Sequence, residues 1–327
     1  MKKYLYIALA AAALTSCSSD DTLDIQKEAI QFGNVFVGKS TRAAEDPSYS
    51  NATKQIQSFQ LYGTVKDVNI YNNVKVENKT AAGADDDAGY GNIWYCPVTQ
   101  YWVDGAAYKF AAVVDANSVT TDDKGMPTEL SYTASGQKDM LYQLVTTTGK
   151  PATNDGVVGF TFDHLLAKAK FTASNTTDHT NVQNGTVYTY DITDLKITNT
   201  YASATYKVAS SGWDVESAEP YETNFGSITG LTNGTPQECA SEKLLIPGLT
   251  EISVSFNYII KIGTTEIYKT TTPVTKTVAI PSNVTGGKIT ANNAYNFSFS
   301  LGLDDKIDFT VTAAPAWETP VNEVPVE

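Results

Sequence analysis

Hydrophobic and polar residues alternate with a period of two along much of the chain. The clearest run of alternating apolar residues comprises Ile252, Val254, Phe256, Tyr258, Ile260 and Ile262. Such alternation puts the apolar side chains on one face of a β-strand. Gly263 then suits a tight turn, and a second strand-like segment starts at Thr265. The pattern therefore predicts a β-hairpin.

Other strand-like segments recur at the spacing that is typical of β-sandwiches. We predict strands at residues 56–65, 68–76, 92–98, 108–115, 141–147, 295–301 and 307–311, and several of the loops between them are rich in Gly and Asp. No long segment has the 3.6-residue period of an amphipathic helix. The sequence therefore predicts an all-β fold, and its 327 residues fit two domains of ordinary size.

A new sheet is predicted to begin in the middle of the chain. One face of a strand there would carry Leu165, Ala167, Ala169 and Phe171, and the other face Leu166, Lys168, Lys170 and Thr172. We place the boundary between two β-sandwich domains near Asp163, so that they span residues 43–163 and 164–327. His164, which lies between apolar residues, is interpreted as a packed junction residue and not as a catalytic base.

The segment 29–37 is predicted to be the first strand. Ile30, Phe32 and Phe36 share one phase of its alternation, whereas Val35 and Val37 share the other. A strand with apolar residues in both phases is expected to be buried on both faces.

A polar loop is predicted to follow this strand, because residues 38–50 contain a Pro and no apolar run. Arg42 and Ala43 lie in that loop, where a trypsin-like protease would reach them. The alternative is that Arg42 is an ordinary loop residue.

The N-terminus has the features of a bacterial lipoprotein signal peptide. Lys2 and Lys3 precede an apolar run, residues 4–13, that is too short to span a bilayer. Leu14-Thr15-Ser16-Cys17 matches the lipobox, which predicts removal of residues 1–16 and acylation of Cys17. The alternative is an ordinary cleavable signal ending near Ser16. In the lipoprotein interpretation, residues 17–42 form an acidic spacer plus the first strand, and cleavage after Arg42 would make them a propeptide.

Composition and charge argue against several classes of function. The formal net charge is −13, and the only basic cluster is Lys2-Lys3, which argues against nucleic-acid binding. Cys96 and Cys239 are far apart in the sequence, and we expect them to be free thiols. With two His and no metal-ligand spacing or nucleophile motif, we expect no cofactor, no metal site and no enzymatic activity. A carboxylate pair for glycoside hydrolysis would leave no local signature.

Three prolines, Pro315, Pro320 and Pro325, interrupt the C-terminal tail. Because proline has no amide donor, the tail is not a central strand. An edge or donated strand that uses Val321, Val324 and Val326 and a disordered tail both remain open.

Taken in order, these motifs resemble the fimbrillin family of Bacteroides-type bacteria, the major and minor subunits of type V pili. The resemblance rests on the lipobox at Cys17, the apolar strand before Thr41-Arg42-Ala43, the mid-chain segment Phe162-Asp163-His164-Leu165-Leu166-Ala167-Lys168, and Ala316-Trp317. These motifs span nearly the whole chain.

The resemblance implies two transthyretin-like β-sandwich domains and export as a lipoprotein to the outer membrane, cell surface and fimbrium. It also implies cleavage between Arg42 and Ala43. Loss of the first strand, with Ile30, Phe32, Val35, Phe36 and Val37, would then open a groove for a strand of a neighbouring subunit. The implied partners are other fimbrial subunits and surface receptors for adhesion.

The alternative is a surface lipoprotein that does not polymerise and that binds glycans. Its sugar-stacking residues would include Tyr95, Tyr101 and Trp102, although such aromatic residues more commonly pack in cores or on sheet faces.

Overall fold

The computed structural model describes residues 28–37, 56, 58–78, 93–176, 187–302 and 307–315. In chain order its strands are β1 (Gln31–Val37), β2 (Ser58–Val65), β3 (Val68–Glu77), β4 (Ile93–Trp94), β5 (Ala107–Val114), β6 (Ser118–Thr121), β7 (Pro127–Thr133), β8 (Leu141–Thr148), β9 (Val157–His164), β10 (Ala167–Asn175), β11 (Tyr188–Tyr201), β12 (Ser203–Lys207), β13 (Gly212–Asp214), β14 (Pro220–Leu231), β15 (Gln237–Glu238), β16 (Lys243–Leu245), β17 (Glu251–Ile262), β18 (Thr265–Lys269), β19 (Val274–Ala279), β20 (Asn293–Leu301) and β21 (Asp308–Pro315). Three short 3₁₀ helices span Ala134–Gly136, Asn154–Gly156 and Val208–Ser210. These ranges contain no α-helix, and the predicted all-β class is confirmed.

The first half forms a seven-stranded sheet in the order β3-β2-β5-β8-β9-β1-β4. Its two outermost strands are joined by a bridge directly after β4, because the amides of Glu77 and Tyr95 donate to each other's carbonyl oxygens at 3.0 and 2.9 Å. The sheet therefore closes on itself at this point. All seven strands contribute to one apolar cluster that includes Phe32, Phe59, Tyr71, Trp94, Phe110, Leu141 and Phe160.

The second half contains two five-stranded sheets. One has the order β15-β10-β20-β21, with β16 also paired to β10, and the other has the order β14-β11-β17-β18, with β19 also paired to β17. Side chains of both sheets meet in a second apolar cluster around Phe171, Phe225, Phe256, Phe297 and Phe299. The predicted hairpin is confirmed as β17 and β18, and the predicted strands near the C-terminus are confirmed as β20 and β21.

A fourth sheet joins the two halves of the chain. Its order is β13-β12-β7-β6, so that β12 of the second half pairs with β7 of the first, with Tyr206 opposite Leu130. A third apolar cluster beside it also mixes the halves, because it contains Leu130, Tyr132 and Tyr206. The domain division near Asp163 stays a prediction.

The junction between β9 and β10 differs in detail from the sequence prediction. Leu165 and Leu166 do not lie in a strand; both are buried in the third apolar cluster. The Leu165 amide donates to the Met140 carbonyl at 3.0 Å, and this bond holds the chain in a sharp change of direction. His164 is packed as expected: it is 1% exposed, and its Nδ1 lies 2.9 Å from Oδ2 of Asp139.

Candidate functional site

The first strand is an inner strand of the seven-stranded sheet. β1 runs parallel to β9 from the pair Gln31–Val157 to the pair Val37–Phe162. On its other side it pairs antiparallel with β4, with Phe32 opposite Trp94. A segment close to the N-terminus thus lies between two strands from later in the chain. We call the space that β1 occupies between β9 and β4 the groove.

A β-bulge in β1 changes which of its apolar residues share a face. The register to β9 shifts between Gly33 and Val35, so that Asn34 is an extra residue. Phe32, Val35 and Val37 consequently lie opposite Val158, Phe160 and Phe162 of β9. Paired residues project to the same face of a sheet, and all six belong to or pack against the first apolar cluster. The bulge therefore brings two phases of the sequence pattern to a single buried face.

Phe32 is the most central of these side chains. It is 1% exposed, and its ring centroid lies 5.4 Å from that of Tyr71, 5.6 Å from that of Phe110 and 6.1 Å from that of Phe160. These distances are in the range of favourable aromatic pairs. Removal of β1 would leave a gap among three other aromatic rings.

The groove extends past the N-terminal end of β1, where a segment that we call the rim (residues 95–103) pairs with residues 28–30. The Ile30 amide donates to the Gln100 carbonyl at 2.8 Å, and the Trp102 amide donates to the Glu28 carbonyl at 3.0 Å. Lys150 Nζ lies 2.7 Å from Glu28 Oε2. A strand that replaced β1 would thus find main-chain partners on the rim as well as on β9 and β4.

The groove floor contains polar groups that the sequence pattern did not reveal. Tyr71 is 1% exposed, and burial raises the pKa of its hydroxyl. Its hydroxyl lies beside the Gln100 backbone, whereas the buried Trp102 Nε1 has no hydrogen-bond partner within the described part of the chain. The sequence does not predict these buried polar atoms, because Tyr71 and Trp102 count as apolar residues when the alternation of a strand is analysed.

The aromatic residues of the glycan hypothesis do not share one environment. Trp102 packs against Tyr108 and Phe110, with ring centroids 4.8 and 6.1 Å away, as expected of a core residue. Tyr95 and Tyr101 are 48% and 47% exposed on the rim.

Several predicted sites lie outside the described residues. These are Cys17, Arg42, Ala43 and the tail valines Val321, Val324 and Val326, and the side chain of Phe36 is likewise not described. Cys96 and Cys239 are free, as predicted, and half-buried.

The described ranges hold no group of three or more His, Cys, Asp or Glu residues that is arranged to bind a metal ion. Within the same ranges, no helix has the length and apolar character required to cross a membrane.

Two family models match the amino-acid sequence of this chain. A family model described as fimbrillin-like matches residues 41–315, and a model for the lipid attachment site of prokaryotic membrane lipoproteins matches residues 1–18. No curated protein sequence matches the chain.

Solved structures share the fold. A fimbrial protein from Bacteroides vulgatus superposes with a TM-score of 0.58 at 14% identity, over 88% of this chain and 99% of that one. A candidate cell adhesion protein from Parabacteroides distasonis gives 0.52 at 12% identity over 90% and 98%. One from Bacteroides uniformis gives 0.51 at 16% identity over 89% and 98%.

Proposed function

The chain belongs to the fimbrillin-like family, and from this premise we propose that it is a structural fimbrial subunit that polymerises by strand exchange and supports adhesion. The lipid attachment site and the family place it at the bacterial cell surface, at the outer membrane and in fimbriae. In this proposal Cys17 carries the lipid anchor, cleavage between Arg42 and Ala43 frees the first strand, and a strand of a neighbouring subunit takes its place. The role is structural and not catalytic.

The observation that carries the proposal is the position of β1 between β9 and β4. Its loss would expose Val158, Phe160 and Phe162 and would leave two strand edges without partners. An incoming strand restores both the burial and the main-chain hydrogen bonds. Four apolar side chains buried again would contribute about 6–12 kcal/mol before entropy costs. Because the donor and acceptor surfaces differ, the joint is head to tail and builds a fibre.

The connections of the chain also support release of β1 alone. In the second half, β10 occupies a comparable place, parallel to β20 on one side and antiparallel to β15 and β16 on the other. However, β10 follows β9 after only Leu165 and Leu166. β1 is separated from β2 by residues 38–57, which include Arg42. A cut there frees one strand without breaking the fold elsewhere.

Arg42 is the only arginine among the 23 Lys and Arg residues of the chain. A protease that cleaves after arginine and not after lysine would therefore make one cut in the entire protein. This matches a processing step that must leave the folded body intact.

The proposal is tested by treating purified full-length chain with an arginine-specific protease and analysing it on SDS gels without boiling. We expect a single cut before Ala43 and SDS-resistant ladders. The matched control is Arg42→Lys, which keeps the positive charge and is expected to remain uncut and monomeric. Complete cleavage of the natural chain with only monomer afterwards would contradict strand exchange.

A second candidate function is glycan binding without polymerisation. The exposed Tyr95 and Tyr101 on the rim favour it, because exposed aromatic rings are suited to stacking on sugars. Binding of glycans by the uncleaved monomer, measured by calorimetry and lost in a Tyr95→Ser, Tyr101→Ser double variant, would support this alternative.

A further inference from the structure

The outer face of the seven-stranded sheet, which points away from the first apolar cluster, is only partly covered. Tyr62 and Ala111 lie opposite each other on this face, and both are buried in the third apolar cluster together with residues of β7 and β12. Farther along β2, β5 and β8 the outward-facing side chains are polar and do not belong to this cluster. The fourth sheet therefore covers one part of the face and leaves the other part open.

The open part is a hollow with a small residue at its centre. Two rows of outward-facing residues cross β2, β5 and β8 here: Thr64, Lys109 and Thr146 form one row, and Lys66, Ala107 and Thr148 form the next. Together they line a volume of about 450 Å³, which we call the hollow. Because the Ala107 side chain ends at Cβ, it forms the floor between the longer side chains of its neighbours.

The charges in the hollow leave one cation available. Asp67 is the only acidic residue among the described residues that line it, and its carboxylate lies 3.4 Å from Lys109 Nζ and 3.2 Å from Lys124 Nζ. Hydrogen bonds and charges of Lys124 and Lys109 lower the pKa of Asp67, so that it is ionised at neutral pH. Lys66 is exposed and has no ion pair within the described part of the chain. The hollow thus carries an excess of positive charge on a chain whose formal net charge is −13.

Hydroxyl groups lie beside these cations. The side chains of Thr146 and Thr148 are exposed, and their hydroxyls make no hydrogen bond to the described residues. A hydroxyl both donates and accepts hydrogen bonds, and so do the hydroxyls of a sugar. We infer that the hollow binds an anionic saccharide, whose carboxylate or sulfate group pairs with Lys66 and Lys109 and whose ring hydroxyls bond to Thr146 and Thr148.

The hollow fits a saccharide better than an acidic peptide. β5, which forms its floor, is paired on both sides with β2 and β8, so its main-chain groups are not free to bind an extended peptide. The volume is within the range of small-molecule sites. Tyr108 is 2% exposed and packs in the first cluster, so recognition depends on charge and hydroxyls and not on stacking. The inference goes beyond the proposed function, because binding requires neither cleavage nor polymerisation.

Calorimetric titration of the uncleaved Cys17→Ser chain tests the inference with three probes. These are an unsulfated chondroitin tetrasaccharide, its sulfated form and neutral chitotetraose. We expect both acidic probes to bind more tightly than the neutral probe, and their binding to weaken as the salt concentration rises from about 20 to about 500 mM. The tighter of the two acidic probes identifies the preferred anion. Acidic probes that bind no better than chitotetraose, or a pentaaspartate peptide that binds as tightly as they do, would overturn the inference.

Substitutions in the hollow locate the site. Ala107→Leu fills the hollow at an exposed position without a change of charge, and we expect it to abolish measurable binding. Lys66→Gln should weaken binding about threefold to tenfold. The matched control is Lys138→Gln, which removes a 68% exposed lysine outside the hollow and should leave the affinity unchanged. Circular dichroism verifies that each variant is folded.

Three outcomes with these variants would overturn the inference. Binding that survives Ala107→Leu would show that the hollow is not the site. An equal loss in Lys66→Gln and Lys138→Gln would show adsorption by overall charge. Binding that is lost in the Tyr95→Ser, Tyr101→Ser double variant would place the saccharide on the rim, as the second candidate function requires. If the natural chain forms no ladders after cleavage, the proposed function fails but this inference stands, because its readout is the uncleaved monomer.

Discussion

Among single residues, Phe32 is expected to contribute most to the stability of the uncleaved protein, in which β1 fills the groove. Phe32→Ala removes a ring that contacts three other aromatic rings, so we expect the free energy of unfolding to fall by about 3–5 kcal/mol. The control Gln31→Ala changes an exposed neighbour in the same strand and should stay within about 0.5 kcal/mol. Urea denaturation of uncleaved protein gives both values. Equal effects of the two substitutions would show that β1 is not packed in the groove.

The two free cysteines allow a residue-level test of groove opening. Burial raises the pKa of the Cys96 and Cys239 thiols, so little reactive thiolate is present at neutral pH. Cys96 packs against the first cluster, which β1 helps to form, whereas Cys239 packs against the second. In a Cys17→Ser background, cleavage after Arg42 and displacement of β1 should accelerate the reaction of Cys96 with a thiol reagent about tenfold or more. Cys239 should not change, and equal rates before and after would contradict opening.

The sequence predicted the environment of single residues correctly where the chemistry of the side chain and its neighbours determines that environment. The packed His164 and the free cysteines followed from apolar neighbours and long separations. The buried face of β1 did not follow, because one extra residue at Asn34 shifts Val35 and Val37 into the phase of Phe32. The buried polar surroundings of Tyr71 and Trp102 depend on the positions of distant strands, which local sequence does not determine.

At the scale of elements, the pairing of β11 with β17 carries a pH-dependent contribution. Burial acts to raise the pKa of Asp191, but hydrogen bonds from Lys261 and the Gly230 amide, with the Lys261 charge, lower it overall. A carboxyl group with a lowered folded pKa stabilises the fold above its unfolded pKa of about 4. That stabilisation is lost as the pH falls through the folded value.

Asp191→Asn should therefore destabilise the protein at pH 6–7, and the difference from the natural chain should shrink below about pH 4. The control is Asp194→Asn, an exposed position of the same strand that leaves the Lys261 pair intact. Unfolding midpoints between pH 3 and pH 7 provide the measurement. A difference for Asp191→Asn that stays constant across this range would contradict the argument.

Long alternating strands were predictable because each carries its own pattern. β2, β3, β5, β8, β17 and β20 were found at nearly their observed bounds. Short strands such as β12 and β13 were missed, since three to five residues hold too little alternation and their partners lie far away in the chain. The long strands β11 and β14 were not predicted either, and register shifts along their pairing interrupt the alternation. For the same reason the sequence did not predict that β12 pairs with β7 across the middle of the chain.

At the scale of the whole molecule, the shared sheet and third cluster should couple the two halves. Trp213 reports on this region, because its indole donates to the Leu165 carbonyl at 2.8 Å and packs near Tyr132 and Tyr206. We expect the fluorescence of a variant in which Trp213 is the only tryptophan to change in the same thermal transition as the global circular dichroism. Two separated transitions would favour independent domains that divide near Asp163.

We propose that this chain reaches its functional state by losing its first strand after surface export. The most direct measurement is N-terminal sequencing of the protein in filaments shed from the cell surface. We expect the filament subunit to begin at Ala43 and to lack residues 17–42. Filaments whose subunits still begin at an acylated Cys17 would contradict it, because β1 would then still fill the groove that the next subunit requires.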